Sequence, residues 1–284
     1  MELIIGASGY IGKNILDYFS ETGKDSVGTY FTSPKKNLRY LDLKNPSLDT
    51  LDINFNKITH AIICSAKSKI KDCETNSDET YKINVLGTQN LINQLFEKNI
   101  IPIFLSSDRV FDGKKGNYAE NDETSPYYHY GKHKKTIEDF LLNSNEKYLI
   151  LRLSRVFGTD SGDGTLLTSL IKDLKEDKIL KCADDQKFSL TYIGDLVKIV
   201  DKMLDENLYG LYNVASIDSS DRFELANLLK RELNISSGKI VPCSIREFGF
   251  SEPLPSDLTI NNEKLKRDLN IDFPEIDRYL KFFK

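Results

Sequence analysis

Apolar runs of strand length alternate along the first half of the chain with longer segments in which apolar positions recur at helical spacing. The pattern predicts strands at 3–6, 26–31, 38–41, 61–65, 101–106 and 148–153, and helices at 11–20, 79–98 and 128–142. Several of these strands are apolar throughout, which is typical of a sheet covered by helices on both faces. We therefore expect an α/β fold with a doubly wound, parallel sheet.

The pattern changes after residue 158. Residues 159–164 are rich in glycine and in short polar side chains, which is typical of a loop, and the later apolar runs are shorter. Segments 188–192 and 210–215 are predicted to return to the main sheet. We expect a main domain over 1–157, with 184–216 returning to it, and a smaller C-terminal lobe formed by 158–183 and 217–284.

Composition limits the kinds of partner. The chain has 284 residues and a net charge of -4, so it offers no electrostatic argument for binding nucleic acid. It contains no apolar run of about 18 residues that could cross a membrane. The N-terminus does not resemble a signal peptide, because an acidic residue follows Met1 and the apolar run is too short. We expect a cytoplasmic protein that binds neither nucleic acid nor membrane.

The cysteines and histidines give no sign of a metal site. The chain has three histidines and four cysteines that are far apart, without a C-x-x-C pair. We expect no metal ion and reduced, structural cysteines at Cys64, Cys73, Cys182 and Cys243.

A glycine-rich loop follows the first strand. The segment Gly6-Ala7-Ser8-Gly9-Tyr10-Ile11-Gly12 lies between a predicted strand and a predicted helix, which is the context that a dinucleotide-binding loop requires. Glycines allow the sharp turn and a close approach of the backbone to a pyrophosphate, while the helix N-terminus offers free N–H groups. The loop predicts a Rossmann fold that binds NAD or NADP, although a tight turn without a ligand would look the same.

The end of the second strand indicates which dinucleotide binds. NAD-specific loops usually have an acidic residue about 20 residues further on, which binds the ribose 2′-hydroxyl. Here the stretch Thr29-Tyr30-Phe31-Thr32-Ser33 contains no acid and is followed by Lys35 and Lys36. Cations and hydroxyls suit a 2′-phosphate, so we predict NADPH. The alternative is that the two lysines simply lie on a solvated loop, so binding of NADH stays open.

A tyrosine followed four residues later by a lysine suits carbonyl reduction, because the tyrosine can donate a proton while the lysine stabilises its anion. The spacing alone is weak, since composition predicts roughly 1.5 matches by chance. Matches begin at Tyr40, Tyr128 and Tyr130. Tyr130 is favoured by its position in a predicted helix and by its distance along the chain from Ser107, at the end of a buried strand.

Several segments of the sequence resemble those of a known family. Ser106-Ser107-Asp108-Arg109-Val110-Phe111-Asp112-Gly113, then Ser125-Pro126 and Tyr130-Gly131-x-x-Lys134, are similar to the dTDP-4-dehydrorhamnose reductase branch of the extended short-chain dehydrogenases/reductases. The segments at 83–91, 151–158 and 191–196 extend the resemblance over most of the chain. The C-terminal lobe, which the family uses to bind substrate, matches only loosely.

The resemblance implies roles for individual residues. Tyr130 would donate the proton, Lys134 would bind the nicotinamide ribose and lower the tyrosine pKa, and Ser107 would hold the substrate oxygen. Asn84 would be structural or part of a proton relay. The implied cofactor-binding residues are Gly6, Ser8, Gly9, Tyr10, Ile11, Gly12, Tyr30, Thr32, Asp42, Leu43, Ser65, Ala66, Lys67, Ser106 and Leu153.

Two arginines depart from the family pattern. The family usually has aromatic residues where this chain has Arg109 and Arg155. We expect these arginines to bind the substrate, because a guanidinium group can contact a pyrophosphate or a carboxylate with two hydrogen bonds, although ordinary surface ion pairs are the alternative.

The resemblance implies reduction of a nucleoside-diphosphate 4-keto-6-deoxy sugar, in deoxysugar and cell-surface polysaccharide biosynthesis. Asp108-Arg109 departs from the Asp-Glu pair expected of a nucleotide-sugar dehydratase, and Asp108 from the cysteine expected of a combined epimerase-reductase. A 4-epimerase and a non-catalytic NADP-binding regulatory subunit are the alternatives. The nucleotide, the sugar, the product configuration and a homodimeric state stay open.

Overall fold

The computed structural model describes residues 1–65, 67–249 and 254–283. Its strands are β1 Glu2–Ile5, β2 Ser26–Tyr30, β3 Arg39–Tyr40, β4 His60–Ile63, β5 Ile101–Ser107, β6 Leu149–Leu153, β7 Arg155–Phe157, β8 Ile179–Ala183, β9 Lys187–Tyr192, β10 Gly210–Val214, β11 Ile217–Ser220, β12 Lys239–Cys243 and β13 Asp257–Leu258. Its α-helices are α1 Tyr10–Thr22, α2 Ile70–Thr75, α3 Ser77–Tyr81, α4 Thr88–Glu97, α5 His129–Leu142, α6 Leu166–Lys175, α7 Ile193–Asp205, α8 Arg222–Glu232, α9 Glu263–Leu269 and α10 Ile276–Leu280.

The larger sheet has seven strands in the order β10-β6-β5-β4-β1-β2-β3. The pairs β1–β2, β1–β4, β2–β3 and β4–β5 are parallel. The chain first builds outward from β1 to β3 and then starts again beside β1 with β4. This reversal creates the crevice at the carboxyl ends of the strands where Rossmann folds bind ligands. The predicted doubly wound fold is confirmed.

Burial explains why these segments form strands and helices. All four residues of β1 and of β4 are buried, as expected of strands covered on both faces. Helix α1 buries Gly12, Ile15 and Phe19, which lie on one stripe of the helix. The core around the sheet includes Leu3, Ile5, Ala61, Ile63, Leu91, Leu95, Phe104, Ile137 and Ile150.

A second sheet is built from short strands. In it, β9 pairs with β7 and β13 in parallel and with β11 in antiparallel orientation, while β8 and β12 form a separate parallel pair. The apolar core beside these two sheets contains Phe157, Leu167, Leu170, Leu174, Leu190, Leu225 and Leu229.

Two details differ from the sequence predictions. The segment at 210–215 does join the larger sheet as β10, but the prediction for 188–192 is wrong, because β9 is the central strand of the second sheet. The predicted helix at 79–98 contains a π-helical turn, Lys82–Gly87, between α3 and α4. A Cβ atom on Gly87 would overlap the carbonyl of Leu43, so the backbone of residue 43 approaches this turn directly.

The chain divides into two compact units. The first comprises Met1–Val110, Thr124–Arg152 and Ile199–Tyr212, and the second Phe111–Glu123, Leu153–Lys198 and Asn213–Lys284. Four segments that the sequence boundaries assign to the main domain belong to the second unit: 111–123, 153–157, 184–198 and 213–216. A substrate-binding role for the second unit stays a prediction. Among the described residues, no helix combines the length and the apolar character needed to span a membrane.

Candidate active site

The glycine-rich loop forms a tight turn between β1 and α1. Gly6 has a φ angle of +83°, a conformation that favours glycine. The Gly9 N–H donates to the Gly6 carbonyl over 3.0 Å, which closes the turn. A Cβ atom on the buried Gly12 would lie 2.5 Å from the Gly6 carbonyl oxygen, so the helix can pack this closely only with glycine at that position.

The loop has the features of a pyrophosphate cradle. Gly9 is the N-cap of α1 and has no side-chain oxygen to satisfy the first N–H groups of the helix. The Gly6 N–H donates to Thr29 Oγ1 over 3.0 Å, which ties the loop to β2. Beside Gly6, the hydroxyl of Ser65 is buried without a hydrogen-bond partner among the described residues. Uncapped helix N–H groups and an unsatisfied hydroxyl fit a bound dinucleotide.

The other predicted cofactor residues differ in exposure. Ser8, Tyr10, Ile11 and Tyr30 are half-buried, whereas Thr32 is exposed. Asp42 accepts a hydrogen bond from the Lys44 N–H over 2.8 Å, and Leu43 is buried. Leu153, the last residue of β6, is buried in the second unit. Ala66 lies outside the described residues.

Asn84 fixes the segment after β4. Its side-chain Oδ1 accepts from the Lys67 N–H over 2.8 Å, and its Nδ2 donates to the Lys67 carbonyl over 3.0 Å. The same Nδ2 lies 3.3 Å from Nδ1 of His133, on α5. Burial lowers the pKa of His133 to about 4, so the ring is neutral and can accept this hydrogen bond. Asn84 therefore links the predicted ribose region to the helix that carries Tyr130.

Ser107 and Tyr130 lie together at the end of β5. Tyr130 lies in the first turn of α5, and a side-chain hydrogen bond joins it to Ser107. The Ser107 hydroxyl also contacts Asp108 Oδ1 at 2.9 Å and accepts from the Arg109 N–H at 3.2 Å. Gly131 allows this close packing, because a Cβ there would overlap the Arg109 carbonyl.

Lys134 lies one turn further along α5, with only 6% of its surface exposed. Its Nζ donates to the Leu105 carbonyl over 2.6 Å and lies 5.8 Å from the Tyr130 ring centroid. In the competing pair, Lys132 is exposed and Tyr128 is the N-cap that precedes the helix. The structure thus brings Ser107, Tyr130 and Lys134 together.

Burial shifts the pKa values of both central groups. It lowers the pKa of Lys134 to about 8, against opposing effects of Glu138 and Cys64. It also raises the pKa of Tyr130 well above the ordinary value, with a further increase from the Asp108 carboxylate and partial compensation by Ser107 and Arg109. The resemblance implies a Tyr130 pKa lowered by Lys134, whereas in this structure the loss of solvation raises the Tyr130 pKa.

The two arginines belong to different compact units. Arg109 follows Ser107 and Asp108 in the turn after β5, where it is half-buried. Arg155 lies on β7 in the second unit, with its guanidinium carbon 4.6 Å from the Phe188 ring centroid. Their contact with a substrate stays a prediction. The described part of the chain contains no group of three or more histidine, cysteine or acidic residues suited to a metal ion.

The sequence predictions did not include Glu138 and Arg152, two buried polar residues behind the site. Ser106, a predicted cofactor residue, directs its hydroxyl to Glu138 over 2.5 Å. Glu138 in turn forms a buried ion pair with Arg152. A signal was available, because Glu138 follows Lys134 by four residues and therefore lies on the same face of the helix.

Known proteins resemble the whole chain. The family model described as the RmlD substrate binding domain matches residues 1–283. A dTDP-4-dehydrorhamnose reductase of Aggregatibacter actinomycetemcomitans is 31% identical over 218 residues, or 74% of this chain and 71% of that protein. Methionine adenosyltransferase 2 subunit beta of Xenopus tropicalis is 24% identical over 277 residues, or 93% of this chain and 81% of that protein.

A solved structure shows the same similarity. The crystal structure of dTDP-4-dehydrorhamnose reductase from Bacillus anthracis in complex with NADP superimposes with a TM-score of 0.83. The two sequences are 25% identical, and the superposition covers 99% of this chain and 97% of that one.

Proposed function

Because the chain belongs to the RmlD substrate binding domain family, we propose that it catalyses the NADPH-dependent reduction of a nucleoside-diphosphate 4-keto-6-deoxy sugar. The observation that carries this proposal is the meeting of Ser107, Tyr130 and Lys134 at the end of β5. A dTDP-linked sugar is the first candidate, since a reductase of dTDP-4-dehydrorhamnose is 31% identical to the chain. We expect the protein to act in the cytoplasm, alone or as a homodimer.

The residues around the glycine-rich loop fit the cofactor. Gly6, Gly9 and Gly12 allow the tight turn that leads into the N-terminus of α1, where a pyrophosphate could accept from the free N–H groups, and the unsatisfied Ser65 hydroxyl offers a further contact. Lys35 and Lys36 are exposed after β2 and suit the 2′-phosphate. When bound, NADPH supplies the hydride that reduces the carbonyl carbon.

Tyr130 provides the proton that the new alkoxide requires. Its raised pKa keeps the phenol protonated at neutral pH, which is the form needed for donation. Ser107 lies within hydrogen-bonding reach of the tyrosine, so its hydroxyl can hold the substrate oxygen beside the phenol. Donation leaves a phenolate, and its negative charge must be stabilised within a partly buried site.

Lys134 supplies that stabilisation. With a pKa of about 8, its amine is mainly protonated at pH 7. Its contact with the Leu105 carbonyl holds the ammonium group near the Tyr130 ring, where its charge favours the phenolate form.

The substrate is tested by mixing the purified chain with NADPH and 4-keto-6-deoxy sugars linked to dTDP, GDP, UDP or CDP. We expect NADPH oxidation to be fastest with the dTDP-linked ketone, and the Tyr130→Phe variant to lose it. In a parallel assay with NAD⁺ and a 4-hydroxy nucleotide sugar, interconversion of the two C4 epimers without net change in the cofactor would instead indicate a 4-epimerase. A chain that binds NADPH but oxidises it with none of these ketones would contradict the proposed reaction, and altered kinetics of an added partner enzyme would then indicate a regulatory subunit.

A further inference from the structure

One face of helix α5 is attached to three consecutive residues of β5. Positions 130, 134 and 138 are spaced by four residues and therefore lie on the same face. The contacts join Tyr130 to the Ser107 side chain, Lys134 to the Leu105 carbonyl and Glu138 to the Ser106 hydroxyl. Two of these helix residues belong to the proposed reaction, and the third, Glu138, has no assigned role.

Glu138 is held in a single orientation. Only 1% of its surface is exposed, and the Ser106 hydroxyl donates to its Oε1 over 2.5 Å. Arg152, on the neighbouring strand β6, donates through Nε over 3.1 and 3.2 Å to the two carboxylate oxygens and through Nη2 over 2.7 Å to Oε2. These contacts leave the carboxylate little freedom to turn.

Stability alone is a weak reason for such a pair. Removing two charges from water costs free energy that their attraction often does not recover, and apolar residues of similar size can replace buried ion pairs without loss. The negative charge has a neighbour that benefits from it, because Glu138 lies one helical turn from the buried ammonium group of Lys134. The Glu138 carboxylate raises the pKa of Lys134 against the lowering caused by burial, and Cys64, after β4, and Cys73, on α2, act in the same direction.

We propose that Glu138 is a positioning residue for the reduction: held by Ser106 and Arg152, its carboxylate keeps Lys134 charged beside Tyr130 and fixes α5 against the end of β5. The kinetic part of this inference rests on the proposed function. Glu138 would touch neither substrate nor cofactor and would act only through Lys134.

The first test is the pH dependence of kcat/KM in Glu138→Gln, which keeps the side-chain size and removes the charge. We expect the fall of kcat/KM at high pH to begin about one pH unit lower than in the wild type, because Lys134 releases its proton more easily. The matched control is Asp139→Asn, which removes a carboxylate from a partly exposed pair with Lys135 on the same helix. Its profile should follow that of the wild type.

Removing one partner of a buried pair can prevent folding. If Glu138→Gln does not fold, Glu138→Gln/Arg152→Met removes both charges and leaves no uncompensated arginine. This double variant is expected to show the same displacement of the pH profile. A folded variant of either kind with the wild-type profile would overturn the proposal, whatever its thermal stability.

A second readout needs neither substrate nor cofactor. A lysine whose pKa is lowered by folding binds fewer protons in the folded state, so its contribution to the free energy of unfolding rises with pH from the folded value towards 10.5. Comparison with Lys134→Met isolates this rise, which should begin near pH 8 in the wild type and at lower pH in Glu138→Gln. An unchanged onset would refute the role of Glu138 even if no substrate were turned over, whereas a shifted onset in an inactive chain would refute only the proposed reaction.

Discussion

Burial gives Tyr130 and Lys134 opposite shifts in pKa. The Tyr130 pKa is raised and that of Lys134 is lowered to about 8, so the lysine loses its proton first as the pH increases. A protonated phenol beside a charged amine is the state that reduction needs. The lysine, rather than the tyrosine, should therefore set the upper pH limit of the reaction.

We expect kcat/KM for reduction to be steady around neutral pH and to fall about tenfold per pH unit well above pH 8, as Lys134 becomes neutral. The measurement is a steady-state profile with saturating NADPH. Lys132→Gln changes an exposed lysine on the same helix and should leave the profile unchanged. A wild-type profile that stays flat to the ordinary lysine pKa would contradict this assignment.

Replacing Tyr130 with phenylalanine removes the proton donor but keeps the ring. We expect kcat to fall by a factor of about 100 or more, with almost unchanged NADPH affinity measured by fluorescence. The matched control is Tyr128→Phe at the N-cap of α5, which should retain near-native kcat. The reverse pattern in folded variants would show that Tyr128 and Lys132 are the acting pair.

At the scale of elements, the sequence was most informative where several local signals agreed. The apolar run of β1, the glycines after it and the apolar stripe of α1 all indicated one β-loop-α unit, and the structure has it within two residues of the predicted bounds. Residues Ser107, Tyr130 and Lys134 could be selected as candidates because their motif lies on such elements, and the structure places them close together. Short elements carried too little pattern: β7 has three residues and β13 has two, so the second sheet was not predicted.

The π-helical turn at Lys82–Gly87 was not predicted either, because apolar spacing alone does not distinguish it from a continuous helix. Glu138 was missed for a different reason. Its spacing from Lys134 indicates a shared helix face, but its contacts with Ser106 and Arg152 form only when two strands and a helix have come together.

The contact between the glycine-rich loop and α1 gives a prediction at this scale. In Gly12→Ala the new methyl group would lie 2.5 Å from the Gly6 carbonyl, and its nearest neighbours are backbone atoms, so the loop must move. We expect the Kd for NADPH to rise by about tenfold or more, together with a lower Tm. Ser20→Ala, on the exposed side of the same helix, is the control. Unchanged NADPH affinity in a folded Gly12→Ala protein would show that the loop does not hold the cofactor.

At the scale of the whole molecule, the net charge of -4 makes a local cluster of cations informative. Lys35 and Lys36 lie exposed after β2, with Arg39 on the edge strand β3. These three cations lie at the edge of the larger sheet formed by β2 and β3, where the first half of the doubly wound sheet ends. Their charge favours a cofactor with an additional phosphate over one without it.

Reversing these two charges should change the choice of cofactor. In Lys35→Glu/Lys36→Glu we expect the Kd for NADPH to rise by about tenfold or more, because charged hydrogen bonds to the 2′-phosphate are lost, while the Kd for NADH changes little. Titrations at one fixed ionic strength compare the two cofactors. Equal weakening of both would locate the effect away from the 2′-phosphate.

The most direct measurement follows the hydride itself. NADPH carrying deuterium at the transferable C4 position is incubated with the purified chain and dTDP-4-dehydrorhamnose, and the sugar product is analysed by mass spectrometry and NMR. We expect one deuterium per product molecule, at sugar C4, matched by one NADPH oxidised, with no transfer in Tyr130→Phe on the same timescale. Binding of NADPH and ketone by the folded wild-type chain without deuterium transfer would contradict the proposed reaction.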